Sequence, residues 1–386
     1  QMVALNIVYD VGARDEHPEH TGFAHLFEHL MFGGSAHIPD YDTPLQLAGG
    51  ENNAWTNNDI TNYYLTVPKP NVETAFWLES DRMLELAFSE QSLEVQRGVV
   101  MEEFKQRCLN QPYGDVGHLF AFRVHPYRWP TIGKELSHIE QATLDEVKSF
   151  FYRFYAPNNA VLAVTGNISW DETVKLTEKW FAPIPRRDVP VRQLPQEPEQ
   201  TQERRLTVER NVPLDALFMG YHMCSREGAD YYAFDILSDI LSNGRSSRLN
   251  RRLVQEQNIF SGIDAYISGT RDAGLLQISG KPAAGVSLEQ AEAAVRKELE
   301  ELQRSPVDGQ ELEKVKNKFE STQIFGNINY LNVATNLAWF ELTGKAEDID
   351  LEVERYRSVT TEQLHTVAQR TFCESNAVVL YYKSDK

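Results

Sequence analysis

Apolar and polar positions along the chain alternate between a period of two, typical of strands, and a period near 3.6, typical of helices. The first half opens with a predicted strand at 2–11 and closes with a helix at 143–155 and a strand at 159–166. Between these ends the pattern predicts helices at 22–32, 43–49, 70–86 and 90–110, strands at 51–57 and 60–67, and a looped helical stretch at 113–140.

The pattern in the second half of the chain predicts a similar order of helices and strands. Its predicted strands are 215–223, 259–268, 273–281 and 376–383, and its predicted helices are 229–242, 246–256, 287–304, 309–325, 330–342 and 361–372. The similarity is clearest at the two ends. A helix from Thr143 followed by a strand from Asn159 has its counterpart in a helix from Thr361 followed by a strand from Asn376. The chain therefore reads as a duplicated unit.

Short turns join the strands within each predicted pair, and such turns require antiparallel neighbours. We therefore predict an α+β fold with two homologous domains, each a mostly antiparallel sheet with helices packed on one face. A stretch rich in proline and charge at 183–205 is predicted to be a linker. It separates an N-terminal domain at 1–182 from a C-terminal domain at 206–386.

Composition supports two folded domains and excludes several classes of function. With 386 residues, of which 41% are hydrophobic, the chain exceeds one ordinary core and differs from a disordered protein. No apolar run is long enough to predict a membrane-spanning helix. A formal net charge of −18 opposes nucleic-acid binding, which needs clustered Lys and Arg. That charge serves solubility, or it lines an acidic cavity that attracts cationic peptides.

Cys108, Cys224 and Cys373 are far apart and form no metal or disulfide pattern. The lack of a disulfide framework favours a cytoplasmic location. The chain reads as a strand from its first residues, so we expect that a natural start has been trimmed, and a periplasmic or organellar location stays open.

The segment from Thr21 to Gly34 contains the candidate metal ligands and the candidate general base. Thr21 is predicted to cap a helix that the pair Gly33-Gly34 ends. His25 and His29 are four residues apart, so both imidazoles leave the same helix face, as two zinc ligands require. Glu28 lies beside that face, where an unligated carboxylate can act as general base towards water at the metal. This is the inverted His-x-x-Glu-His motif.

Short motifs also arise by chance, and a surface helix with two histidines and a salt-bridging glutamate would show the same string. The metal interpretation is favoured because the segment follows a strand and is otherwise apolar. A catalytic zinc needs a third protein ligand. Glu103 is the candidate, because it shares a predicted helix face with Gln96, Val99 and Val100, whereas Glu102 is expected to face solvent.

These residues resemble the pitrilysin family of zinc peptidases, which includes the insulin-degrading enzymes and the mitochondrial processing peptidase. The resemblance rests on His25 to Phe32, on Glu103 in the stretch 97–103, on Asn53-Ala54-Trp55-Thr56, and on landmarks at 125–127, 132–133 and 155–159. It implies one zinc ion per chain held by His25, His29 and Glu103, with Glu28 as general base. It also implies that Asn53, Ala54 and Trp55 lie on a substrate-binding strand edge, although core packing is an equal alternative for Trp55.

The resemblance further implies a clamshell chamber of four such domains, of which this chain supplies two. We therefore expect a dimer, and a heterodimer with a zinc-free homologous subunit is the hypothesis, with a homodimer as the alternative. The chain departs from the family pattern in two places. Gln96 stands where the family often has a supporting glutamate, a change expected to alter turnover. Val254 and Ser261 stand where the family has a substrate-binding Arg and Tyr, and this loss motivates the heterodimer.

In the counterpart of the metal helix, Asp235, Ser238 and Asp239 replace the motif, so the second half is not expected to hold zinc. The predicted function is zinc-dependent hydrolysis of unstructured peptides. The alternatives are a peptide-binding subunit that retains zinc with weak activity, and a non-catalytic structural subunit of the same fold.

Overall fold

The computed structural model describes residues 1–385, and it leaves out the side chain of His118. Its strands are β1 Met2–Tyr9, β2 Glu51–Thr56, β3 Thr61–Pro68, β4 Ala160–Gly166, β5 Arg204–Arg210, β6 Ala216–His222, β7 Phe260–Ile267, β8 Leu275–Pro282 and β9 Ala377–Ser384. None of the helices within these residues is long and apolar enough to span a bilayer.

The α-helices fall between these strands. They are α1 Phe23–Leu30, α2 Asp42–Leu47, α3 Val72–Leu84, α4 Glu90–Phe104, α5 Val116–Leu119, α6 Leu136–Glu140, α7 Leu144–Phe154, α8 Trp170–Trp180, α9 Tyr231–Ser242, α10 Leu288–Arg304, α11 Gly309–Gly326, α12 Tyr330–Thr343, α13 Glu352–Ser358 and α14 Thr361–Thr371. Two segments are π-helical, Lys105–Asn110 directly after α4 and Asn250–Glu256. The predicted helix at 90–110 therefore changes its winding near its end.

The first sheet has the strand order β2-β3-β1-β4, and its described pairs are all antiparallel. Every second side chain of β1 points into a core formed with α1, α3, α4 and α7; these are Val3, Leu5, Ile7 and Tyr9. Period-two alternation produces this arrangement, because successive side chains of a strand leave opposite faces of the sheet. β2 lies at the edge of this sheet, and its outer backbone groups can pair with another strand.

The second sheet has the order β5-β9-β6-β8-β7. β5 runs parallel to β9, and the other described pairs are antiparallel. The predicted α+β class with mostly antiparallel sheets is therefore confirmed. β5 was not predicted, because its sequence is mostly charged and it begins inside the stretch assigned to the linker. The helices α8 and α13 were also missed.

The boundaries of the two compact units differ from the predicted domain boundaries, because one segment of each predicted domain belongs to the other unit. Within the described residues, the first unit comprises 1–110, 122–196 and 325–349, and the second comprises 111–121, 197–324 and 350–385. In the first unit, Ala334 and Ala338 of α12 pack on Ala4, Val8 and Ala163. This helix covers the face of the sheet opposite the main helical layer. Hydrophobic period predicts that a helix face is buried but not which sheet buries it.

The second unit gains the short segment 111–121 in the same way. Phe120 packs against the sheet where Gly220 leaves room, since a Cβ there would stand 2.7 Å from the Phe120 ring. The other apolar residues of this contact are Tyr113, Val116, Leu119, Val208, Val212, Ala216, Phe218, Leu380 and Tyr382. Each sheet therefore receives an outer cover from a segment that is distant in the chain.

Candidate metal centre

Helix α1 is held in place by its buried apolar side. Phe23, Leu26, Phe27 and Leu30 are all 5% exposed or less. Burying four such side chains stabilises the helix by about 1.5–3 kcal/mol each. The opposite face carries His25 and His29, as helical spacing predicts. The sequence pattern therefore fixes both the orientation of α1 and the face that can bind a metal.

The start of α1 differs from the prediction for Thr21. The N-cap residue is Gly22, whose φ of +86° is a conformation that favours glycine. The Thr21 hydroxyl instead contacts His138 Nδ1 at 2.8 Å and accepts a hydrogen bond from the Lys134 backbone N–H at 2.7 Å. Thr21 therefore ties the start of α1 to α6 and to the segment that precedes it, and does not cap α1.

The carboxylate of Glu16 caps α1 in its place. One oxygen accepts the Gly22 N–H at 2.9 Å, and the other accepts the Ala24 N–H at 2.8 Å. Burial raises the pKa of Glu16, and the two backbone donors, which stabilise the ionised carboxylate, act to lower it. A carboxyl group at a helix N-terminus satisfies donors that have no partner within the helix. Sequence reasoning missed Glu16 because it lies outside α1 and reaches it only in the folded chain.

Helix α4 supplies the distant glutamate. Its start is capped by the Ser89 side chain, which accepts the Ser92 N–H, and Val100 is fully buried. The prediction that Glu103 shares a buried helix face with Val99 is wrong at Val99, whose side chain is 47% exposed. Glu103 is half-buried, and Glu102 is exposed as expected. The π-helix at Lys105–Asn110 follows immediately, and such distortions occur frequently at functional sites.

The structure brings His25, His29 and Glu103 together, and their ligand atoms lie within 4.8 Å of one another. Both imidazole Nε2 atoms are 3.4 Å from the same oxygen, Glu103 Oε2. Two ligands about 2.05 Å from an ion and at the tetrahedral angle are about 3.4 Å apart. Hydrogen bonds between nitrogen and oxygen are shorter, near 2.9 Å. The spacing therefore fits three ligands around one ion better than it fits imidazoles bonded directly to a carboxylate.

The environment of His25 points the same way. Burial lowers the pKa of His25 to about 4, so its imidazole is neutral near pH 7, which is the form that binds metals. Its Nδ1 atom is buried and has no hydrogen-bond partner among the described residues. The second oxygen of Glu103, Oε1, forms a salt bridge with Arg107 Nη2 at 2.6 Å. Arg107 was not anticipated, and it leaves Oε2 as the oxygen turned towards the two histidines.

Glu28 lies beside the cluster and takes no part in it. Its Oε2 atom accepts a hydrogen bond from the Thr56 hydroxyl at 2.6 Å. Burial raises its pKa, and the Thr56 hydrogen bond acts in the opposite direction. A carboxylate next to a metal but bound by another donor has the arrangement of a general base. Its role stays a prediction.

The predicted substrate-binding residues lie on the edge strand β2. Asn53 is exposed, Ala54 is half-buried, and Trp55 is 36% exposed, so Trp55 does not pack in the core. Gln96 is half-buried on α4, two turns before Glu103. The structure thus places β2 in reach of α1 through Thr56, while substrate contact and the supporting role of Gln96 stay predictions.

The counterpart positions in the second unit are engaged in other contacts. Asp235 accepts a hydrogen bond from the Tyr356 hydroxyl, and Asp239 accepts one from Asn243 at 2.8 Å. Among the side chains of residues 1–385 other than His118, the group of His25, His29 and Glu103 is the one arrangement of this kind that has metal-ligating geometry.

The fold and the site together define a metallopeptidase with the inverted His-x-x-Glu-His motif. The family model described as insulinase, peptidase family M16, matches residues 1–119, and the model described as the peptidase M16 inactive domain matches residues 141–319. The chain belongs to peptidase family M16, the insulinase and pitrilysin family of zinc proteases. The predicted family and enzyme class are thus confirmed.

Relatives and solved structures support this assignment over nearly the full chain. The zinc protease PqqE of Helicobacter pylori is 26% identical and covers 99% of this chain and 88% of its own length. The uncharacterized zinc protease YmxG of Bacillus subtilis is 24% identical, and the match covers 98% of this chain and 92% of that protein. A protease structure from Helicobacter pylori superposes with a TM-score of 0.94 at 26% identity, covering 99% of this chain and 94% of that one.

The structure of pitrilysin shares the fold, with a TM-score of 0.79 at 18% identity. The match covers 99% of this chain and 42% of pitrilysin. This chain therefore corresponds in fold to less than half of that longer protein.

Replacing His29 with alanine should remove bound zinc, because two remaining ligands hold the ion at least about 100-fold more weakly. We expect the purified variant to retain almost no zinc after dialysis, measured by mass spectrometry. His365→Ala, in the second unit, is the control and should leave the zinc content unchanged. Stoichiometric zinc in the His29 variant would contradict the ligand assignment.

Removing the Glu16 carboxylate should destabilise α1. Glu16→Ala leaves the N–H groups of Gly22 and Ala24 without their acceptor, which should lower the free energy of unfolding by about 1–3 kcal/mol. Glu16→Gln keeps one acceptor oxygen and should lose less. Denaturant unfolding of the chelator-treated proteins measures the difference, and equal stability of all three proteins would exclude the capping role.

Proposed function

We propose that this chain hydrolyses unstructured peptides with one zinc ion held by His25, His29 and Glu103. The observation that supports it most is the equal 3.4 Å distance from each imidazole Nε2 to a single oxygen of Glu103. Neutral histidine and a carboxylate are the ligand types of catalytic zinc sites with three protein ligands. The metal-ligating roles of these residues are part of the proposal.

In this mechanism the chain supplies proton transfer and positioning. Zinc, when bound, contributes Lewis-acid chemistry, lowering the pKa of water and polarising a carbonyl group. Glu28 accepts a proton from the attacking water and later delivers it to the leaving amine nitrogen. The Thr56 hydrogen bond engages Oε2 of Glu28, so the proton is assigned to Oε1. Burial raises the pKa of Glu28, which makes the carboxylate a stronger base.

Substrate binding is assigned to the outer edge of β2. This strand pairs on one side with β3, so the other side can pair with an extended peptide through backbone hydrogen bonds. Asn53, Ala54 and Trp55 lie along this edge, and the exposed face of Trp55 is available to a substrate side chain. Backbone pairing needs an extended peptide segment and depends little on its side chains. This mode of binding therefore favours unstructured peptides of varied sequence.

A partner subunit is proposed to complete the enzyme. The chain matches the fold of pitrilysin over 42% of that protein, so a second chain of similar fold would supply the missing part. Val254 and Ser261 replace the expected Arg and Tyr, which favours a zinc-free partner that carries them. A homodimer is the alternative. The cytoplasmic location stays a prediction.

Glu28→Gln should separate metal binding from catalysis. The amide keeps the size of the side chain but cannot accept the proton, so we expect kcat to fall by about 100-fold or more while zinc content is unchanged. A quenched-fluorescent peptide assay, run beside zinc quantitation, measures both. If Glu28→Gln cleaves the peptide at the wild-type rate, the general-base assignment is wrong.

The partner proposal predicts that the chain purified alone has little peptidase activity. Activity should rise at least about tenfold when a homologous subunit is added, because the chamber and the missing residues are then complete. Analytical ultracentrifugation with the peptide assay tests assembly and activity together. Full activity of the isolated monomer would exclude the need for a partner, and full activity of a self-associated dimer would favour the homodimer.

A further inference from the structure

We propose that Thr56 is a positioning residue that orients Glu28 and couples its orientation to the substrate-binding strand β2. The inference rests on the proposed function and goes beyond it, since it assigns a task to a residue outside the metal motif. It starts from the hydrogen bond between the Thr56 hydroxyl and Glu28 Oε2, at 2.6 Å.

The sheet register directs the Thr56 side chain towards α1. Thr56 pairs with Thr61 on β3, and Thr61 pairs with Tyr9 on β1. Tyr9 belongs to the core that lies under the helical layer. Residues paired across strands lie on the same face of a sheet. Thr56 therefore extends from the last position of β2 towards the helix that carries Glu28.

Threonine suits this task because of its shape. Its branched Cβ restricts χ1, so a strand backbone that is held in register also holds the hydroxyl. A hydrogen bond from a hydroxyl to an ionised carboxylate is short and stronger than one between neutral groups. Fixing Oε2 in this way restrains rotation of the Glu28 carboxylate, and its second oxygen keeps a defined direction for the proton.

The coupling follows from the position of Thr56 in β2. The same strand offers its outer edge to a peptide, and it ends at the residue that holds the base. A peptide that pairs with β2 restrains the strand backbone, and that backbone carries the Thr56 hydroxyl. Substrate pairing and base orientation thus share one structural element, while peptide affinity depends on the backbone edge and not on the hydroxyl.

Thr56→Val tests the inference, because valine keeps the branched shape and removes the donor. In the zinc-loaded assembly that shows peptidase activity, we expect kcat to fall about 10- to 100-fold, the loss expected for a hydrogen bond to a charged group. KM, zinc content and melting temperature should stay near their wild-type values. Thr56→Ser keeps the hydroxyl and should recover most of the loss.

Thr66→Val is the matched control. Thr66 lies on β3 opposite Ala4, on the face of the sheet that α12 covers, and it should leave kcat unchanged. A double-mutant cycle adds the decisive readout: in a Glu28→Gln background, Thr56→Val should cause little further loss if it acts through Glu28.

Four outcomes overturn the inference: a Thr56→Val variant with wild-type kcat, a Thr56→Ser variant as slow as Thr56→Val, additive losses in the cycle, or loss of zinc or folding in Thr56→Val. The proposed function fails in a different way. It fails when Glu28→Gln itself retains wild-type activity, whatever the Thr56 variants show.

Discussion

The convergence of two imidazoles and one carboxylate oxygen is the constraint on which the functional part of the structure depends. The Nε2 atoms of His25 and His29 both lie 3.4 Å from Glu103 Oε2, which is longer than an ordinary nitrogen–oxygen hydrogen bond and matches the spacing of two ligands of one ion. The apolar side of α1 and the buried Val100 of α4 hold the two helices in this position. The core therefore preorganises the three side chains for the metal ion that we propose.

Much of this site was predictable because it is local. A helical period alone places His25 and His29 one turn apart and sets Glu28 beside them. The role of Glu103 was harder to predict, since the helix face on which it was expected to be buried includes Val99, which is exposed. The resemblance to a known family supplied what the pattern lacked there. Residues that act within one helix can be predicted from spacing, and residues that join two elements need more information.

The features that were missed depend on contacts between distant parts of the chain. Glu16 caps α1 from outside the helix, and Arg107 reaches Glu103 from a π-helical turn. The strand β5 has a charged sequence that resembles a linker, and its place in the sheet comes from parallel pairing with β9. The burial of α12 was predictable, but its packing on the first sheet was not. In each case the sequence specifies a surface, and only the fold specifies its partner.

Three carboxylates around one helix show how environment assigns different tasks to the same chemical group. Both oxygens of Glu16 accept backbone N–H groups, so this carboxyl group serves the helix and has no oxygen left for chemistry. Glu103 divides its oxygens between Arg107 and the histidines, which suits a ligand that binds through one atom. Glu28 has one oxygen held by Thr56, which leaves the other for a proton. What each oxygen contacts, more than the identity of the residue, distinguishes the helix cap, the proposed ligand and the proposed base in this fold.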